Sequence, residues 1–356
     1  MLRTGFQLKT VNSHMTHSHA TKDSQPLFIM GCQRSGTTLV SSILNSHPNI
    51  SIYHESFLFH IFSRELKFYG DLSKHNNLRL LAIDLAFVIK SQAREIGKGK
   101  PAFSPSVEDI LELSSEPSFN GLYTAIFKLY AYANEKSRGG DKTPENYQYL
   151  KTIKEGFPSS PIIYLIRDPR DVILSSQKIF GTSLEKAAYM WNEAYQTYSA
   201  LSENAHLVKY ELLVTEPETS LKQMCHYINE DYTESLLSFF KDTPDRFKNH
   251  RQDIRLLNSP ISTKSIGNYQ EIPVEKIKLI EQYCAEGMDA MGYTPSQSAL
   301  SSRKPLRLKK QSQLTFILGQ LRYYGTNLDR WKHGSVRWKI MLMARLRYFG
   351  QLKFFR

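Results

Sequence analysis

Cysteine is scarce in this chain: three stand in 356 residues, Cys32, Cys225 and Cys284. An odd, widely spaced set matches neither a disulfide framework nor a thiol metal site, so a reducing compartment is the default. Long apolar runs are missing too, since no stretch reaches the roughly 18 consecutive apolar residues of a membrane span. The first 25 residues hold no apolar core of signal-peptide length, and His14, His17 and His19 there read as solvated rather than metal-ligating. These absences predict a cytoplasmic protein with a disordered lead over 1–25. Acids are almost absent from residues 301–356, which carry fourteen Lys and Arg against Asp329 alone, while residues 1–300 hold 32 against 33. The whole net charge of +12 is therefore C-terminal. Internal repeats are absent as well, so 41% hydrophobic residues over this length point to one large core with extensions.

One further absence is specific. Residues 26–38 read PLFIMGCQRSGTT, an apolar strand that breaks at Gly31 and re-enters a helix within a few residues. Such a turn aims backbone N–H groups and a helix N-terminus at one point, the geometry that captures phosphate. The spacing from Gly31 to Gly36 matches the phosphate loop G-x-x-x-x-G-K-[ST], but Thr37 occupies the lysine position. That lysine serves the β- and γ-phosphates, and no apolar run ends in a magnesium-binding Asp, so ATP or GTP hydrolysis is disfavoured. The basic residue sits inside the loop as Arg34, beside the hydroxyls of Ser35, Thr37 and Thr38.

A second motif, IIYLIRDPRDVILSS at 162–176, pairs a continuous apolar run with a helix start. The run suits a strand buried on both faces. Asp168 is a fitting N-cap with Pro169 in the first helical position, which puts Arg167 at the strand's carboxyl end, where open α/β sheets bind ligands. Ser175 lies two turns along that helix. Taken alone, the same residues also fit a solvated cluster of local ion pairs.

Apolar spacing of three and four predicts helices over 77–94 and 121–136. Pro101, Pro105 and Pro117 mark a loop between them, suited to a lid. Gly139-Gly140 reads as a turn before Asp141-Lys142, with Thr143-Pro144-Glu145 opening a helix. Residues 50–53 read as a short strand that delivers His54-Glu55-Ser56 to the sheet's carboxyl edge, and 274–291 as a helix. The expected fold is α/β: a P-loop-like three-layer fold with a central parallel sheet flanked by helices over 26–297, plus a basic C-terminal helical extension at 298–356. In that extension Trp338, Leu342, Leu346 and Phe349 recur at helical spacing, flanked by Arg337, Lys339, Arg345, Arg347 and Lys353. Such a helix docks on the catalytic domain or lies on an anionic membrane, peripherally. Nothing in it resembles a groove-reading module, so no nucleic acid is expected.

GCQRSGTTLVSSILNSHP at 31–48 resembles the 5′-phosphosulfate loop of sulfotransferases that use 3′-phosphoadenosine 5′-phosphosulfate (PAPS), of a bacterial type related to tyrosylprotein and carbohydrate sulfotransferases. The resemblance covers approximately 26–295 and leaves the C-terminal extension outside it. It implies that Arg34, Ser35, Gly36, Thr37 and Thr38 hold the 5′-phosphosulfate, and that Arg167 and Ser175 hold the 3′-phosphate. More loosely, HLVKYELLVTEPETSLKQMCHYI at 206–228 implies that Tyr210 lies near the nucleotide. ISTKSIGNY at 261–269 implies a basic loop over the 3′-phosphate formed by Ser262, Thr263, Lys264, Ser265 and Gly267, the glycine allowing close backbone approach.

The implied reaction is in-line sulfonate transfer from PAPS to an acceptor hydroxyl or amine, with no metal required. Glu55, 21 residues after Arg34, matches the catalytic base of the tyrosylprotein members, with His54 as its competitor. Its own residues also allow Glu55 to be an N-cap partner or to pair with Arg64. Beside so many cations it is expected to be ionised, with its strength as a base depending on desolvation. Lys142 and Arg34 match the clamps on the transferring sulfonate. In the tyrosylprotein members an arginine that engages acidic peptides follows the glutamate, whereas Ser56-Phe57-Leu58-Phe59 follows here. A lipid, polyketide, glycolipid or small phenol thus suits the mouth better than an acidic protein, within a range that still includes glycan and tyrosyl peptide acceptors. Two other classes stay open: a P-loop-like nucleotide kinase or phosphotransferase, and a noncatalytic nucleotide-binding membrane-associated protein.

Overall fold

The two apolar runs form β1 (Leu27–Gly31) and β4 (Ile162–Ile166), buried at every position. This computed structural model describes residues 25–92, 102–201, 203, 205–241 and 256–296, so the expected lead, apart from Gln25, and the basic extension lie outside the described residues. Successive side chains of a strand point to opposite faces. Accordingly Phe28, Met30, Ile162, Tyr164 and Ile166 enter one core, and Leu27, Ile29, Ile163 and Leu165 enter the other. Each fully buried aliphatic side chain contributes about 1.5–3 kcal/mol.

β2 (Ile50–His54), β3 (Arg138–Lys142) and β5 (His206–Lys209) complete a five-stranded sheet in the order β2-β3-β1-β4-β5. All four pairings are parallel, for example Tyr53 opposite Asp141 and Gly31 opposite Leu165. Every strand therefore ends at the same edge. One face is covered by α1 (Thr37–Leu44), α9 (Tyr210–Thr215) and α10 (Pro217–Ile228). The other carries α2 (Leu58–Phe62), α3 (His75–Ser91), α4 (Val107–Leu113), α5 (Phe119–Ala133), α6 (Leu150–Gly156), α7 (Pro169–Phe180) and α8 (Leu184–Leu201). The three-layer parallel architecture is the expected one.

The capping chemistry of α7 is also as read: the Asp168 carboxylate accepts from the Arg170 amide at 2.9 Å, and Pro169 opens the helix. Other local expectations are corrected. Gly139-Gly140 is the middle of the interior strand β3, not a turn. A Cβ at Gly139 would lie 2.1 Å from the Phe127 carbonyl oxygen and one at Gly140 2.4 Å from that of Leu27, so these glycines let α5 and β1 approach the strand. The expected loop before Pro117 contains α4, started by the Ser106 hydroxyl accepting from the Asp109 amide at 3.0 Å. The helix expected over 274–291 breaks at Cys284 into Val274–Tyr283 and Ala285–Ala290. No helix among the described residues is long and apolar enough to cross a membrane.

Candidate active site

The carboxyl ends of β1, β2, β3 and β4 converge on the turn that precedes α1. Gly36, at φ 98°, caps that helix in a left-handed conformation, and a Cβ there would lie 2.6 Å from Cδ2 of Tyr210. Only glycine fits both demands. Ser35 and Thr37 are buried. The Ser35 hydroxyl has no hydrogen-bond partner among the described residues, an orphan donor inside the loop.

Lys142 ends β3 fully buried, and its ammonium donates to Glu55 Oε1 at 2.6 Å and to Thr38 Oγ1 at 3.2 Å. The family resemblance made Glu55 and Lys142 catalytic candidates; the sheet register puts them in contact. Glu55 follows β2 with φ 60° and its amide donates to the Lys142 carbonyl at 2.7 Å. Its cationic partner is Lys142 rather than Arg64, and His54 Nε2 lies 3.7 Å from the same carboxylate oxygen.

Arg34 leans the other way. Its Nε donates to Ser175 Oγ at 2.9 Å, so the loop arginine and the serine expected at the 3′-phosphate are directly joined. Arg167 links four elements. It donates to the carbonyls of Arg34, at 3.1 Å, and Ser265, pairs with Asp171 at 3.6 Å, and lies 4.5 Å from the Tyr210 ring centroid. Its own carbonyl accepts from the Trp191 indole at 2.9 Å, while its Nε is buried without a partner among the described residues. The ion pairs of this motif are buried rather than solvated: Arg167, Asp168, Arg170 and Asp171 are all in the interior.

In the 261–269 loop, Ser262 and Ser265 are half-buried and Thr263 and Lys264 exposed. Gly267 has a φ of 75°, and the nearest protein atom to an added Cβ is 3.4 Å away. Its amide and that of Tyr269 donate to Asp171 at 3.0 and 3.3 Å, and the Arg170 guanidinium lies 4.1 Å from the Tyr269 ring centroid. Leu58 and Phe59 point into the core, so of the apolar run expected at the mouth only Phe57 keeps exposure.

Sequence reasoning missed Asp141, Asp171, Gln33 and Glu145. Asp171, four residues after Arg167 on one helix face, had a visible spacing signal; the others depend on contacts across the sheet. Gln33 of the loop donates to Glu145 Oε1, while Glu145 Oε2 is inaccessible and without a partner among the described residues. Burial first, then the charge of Glu55, pushes the Glu145 carboxyl up to about 7. Cys32, inside the loop, is buried and its thiol is pushed up by that burial, which suits a filler role. No group of three or more His, Cys, Asp or Glu among the described residues is arranged to hold a metal.

A family model described as the sulfotransferase family matches residues 26–234. An Aquifex aeolicus (strain VF5) protein is 25% identical over 254 residues, 66% of this chain but 29% of that protein, so this chain spans well under half of that relative. A Caenorhabditis briggsae protein named putative protein-tyrosine sulfotransferase is 22% identical over 292 residues, 77% of this chain and 91% of that one. The sulfotransferase domain from the Synechococcus PCC 7002 olefin synthase is a solved structure with 19% identity and TM-score 0.49, covering 79% of this chain and 99% of that one. With more than half of its length matched by the family, this chain belongs to the sulfotransferase family.

Proposed function

We propose that this chain transfers a sulfonate group from PAPS to an acceptor hydroxyl or amine, with Glu55 as the base. The observation that carries the reading is the contact of Glu55 with a fully buried Lys142 at the mouth of the α1 loop. The residues fit the nucleotide: the orphan Ser35 hydroxyl and the α1 amides suit a 5′-phosphosulfate, and the orphan Arg167 Nε together with the joined Arg34 and Ser175 suits a 3′-phosphate. Tyr210 and the 262–267 loop flank that second position, held by Arg167 and Asp171.

PAPS supplies an activated sulfonate. Glu55 takes the acceptor proton as the acceptor oxygen or nitrogen bonds to sulfur and the bond from sulfur to the 5′-phosphate oxygen breaks, leaving 3′-phosphoadenosine 5′-phosphate (PAP). Lys142, held by Thr38 and Glu55, offsets charge on the transferring group, an electrostatic role that no bulk-water cation fills as well. This scheme assigns no step to a metal.

Family membership supports a hydroxyl-bearing acceptor, and the half-buried Phe57 favours one with an apolar part. Three free, buried cysteines support a reducing, cytoplasmic setting. The basic segment at 298–356 supports peripheral contact with an anionic membrane.

The test is thermal unfolding with PAP, AMP and ATP, on wild type and Arg167→Ala. A ligand of the native state raises its stability. A shift specific to PAP and lost in the variant supports the reading, and acceptor screening with PAPS follows. An equal shift with AMP withdraws it, and ATP-dependent transfer without PAPS replaces it with a phosphotransferase.

A further inference from the structure

The turn that carries Glu55 is an uncomfortable piece of backbone. Glu55 and Phe57, neither of them glycine, have φ of 60° and 54°. L-residues avoid this region, so such a turn persists only where its surroundings hold it. The residue between them, Ser56, is fully buried and gripped from two sides. Gln92 donates to its carbonyl at 2.7 Å, and the Gln92 side chain is itself fixed by the Tyr53 hydroxyl at 2.9 Å. On the other side stands Asp141, also fully buried, one residue before Lys142 at the end of β3. Its carboxylate accepts from the Ser56 amide at 3.2 Å and the Ser56 hydroxyl at 2.8 Å. The Tyr123 hydroxyl at 2.9 Å, the Thr143 hydroxyl at 3.1 Å and the Asn146 amide at 3.1 Å complete its partners. The Phe57 amide in turn donates to Thr143 Oγ1 at 3.4 Å.

We propose that Asp141 is a positioning residue: by gripping Ser56 it holds Glu55 in its left-handed conformation against Lys142. The inference rests on Glu55 being the base. The same strand end supplies both the cation that meets Glu55 and the carboxylate that fixes its turn, so the sheet register sets their relation. A carboxylate this deeply buried is costly without donors, and the Ser56, Tyr123, Thr143 and Asn146 groups supply them. When the grip is removed, the turn relaxes toward extended backbone and Glu55 leaves Lys142.

The experiment uses the full chain, with Ser56→Ala and Asp141→Asn as test variants and Leu221→Ala as a control. Leu221 lies buried in α10 in the other core. Two quantities are read: hydrogen exchange at the Glu55 amide, and steady-state sulfonate transfer from PAPS. Both test variants are expected to speed Glu55 exchange at least about tenfold and lower kcat at least about tenfold, with KM for PAPS held within about twofold. Leu221→Ala lowers the melting temperature but leaves the Glu55 exchange and kcat unchanged. Ser56→Ala alone decides the matter if Asp141→Asn fails to fold. Equal effects in Ser56→Ala and the control, or no effect in either, overturn the proposal. If exchange responds as expected while the wild type transfers no sulfonate, the grip on the turn stands and the proposed function falls.

Discussion

Lys142 Nζ lies 2.6 Å from Glu55 Oε1, with the lysine entirely out of solvent. A buried ammonium without a carboxylate partner is strongly destabilising. The contact therefore explains both why β3 tolerates a lysine at its end and why the turn after β2 carries a glutamate. Glu55→Gln keeps the shape and removes the proton acceptor, so kcat should fall by about 10²–10⁴. The PAP-induced shift in melting temperature should remain. Retained transfer in this variant would move the base role to His54, 3.7 Å away.

Arg167 joins the loop before α1, Asp171, Ser265 and Tyr210, and its Nε has no partner among the described residues. In wild type, PAP at about a hundred times its Kd should add about 2.7 kcal/mol of stability. Arg167→Ala should bind PAP no better than AMP by calorimetry. Undiminished discrimination would place the 3′-phosphate site elsewhere.

Glu145 titrates near 7 because burial, then the charge of Glu55, favours its neutral form. A carboxyl raised above its unfolded value of about 4.3 stabilises the fold fully below that pH. The contribution is lost as pH rises through about 7. Glu145→Gln keeps a neutral side chain at every pH, so the stability of wild type relative to this variant should decline by about 3 kcal/mol between pH 4 and 8. Urea unfolding of both proteins across that range measures the difference, and a flat difference would place the ordinary carboxylate value there.

Gly139→Ala drives a methyl to within 2.1 Å of the Phe127 carbonyl oxygen. Backbone rather than a flexible side chain is in the way, so α5 must move off the sheet at a cost of about 3 kcal/mol. A urea midpoint unchanged from wild type would contradict this packing.

The basic segment can be tested by comparing vesicle binding of the full chain with a version ending at Gln297. Loss of binding to anionic vesicles, with salt-sensitive binding by the full chain, is expected. Equal binding by the two would remove its membrane role.

The local structure of the two motifs, at 26–38 and 162–176, was legible from residues alone. Leu27–Gly31 and Ile162–Ile166 are apolar at every position but the last glycine, a pattern that only a strand buried on both faces accommodates. Asp168-Pro169 specifies a helix start by hydrogen bonding and a fixed φ, both local effects. Strand β3 was illegible for the opposite reason. RGGDK has no apolar alternation, and its glycines signal a turn unless one knows that Phe127 and Leu27 press against them. The family resemblance marked Glu55 and Lys142 as separate candidates, 87 positions apart. Their contact and the grip of Asp141 on Ser56 come from the pairing of β2 with β3, in which His54 stands opposite Lys142, and the raised pKa of Glu145 comes from burial and the nearby charge of Glu55. The sequence by itself determined which runs must be buried and where α7 starts, because those depend on side-chain chemistry and short-range geometry. Only the tertiary structure decided which charges meet and how deeply they are buried, because register across a parallel sheet and the exclusion of water are properties of the whole packed chain.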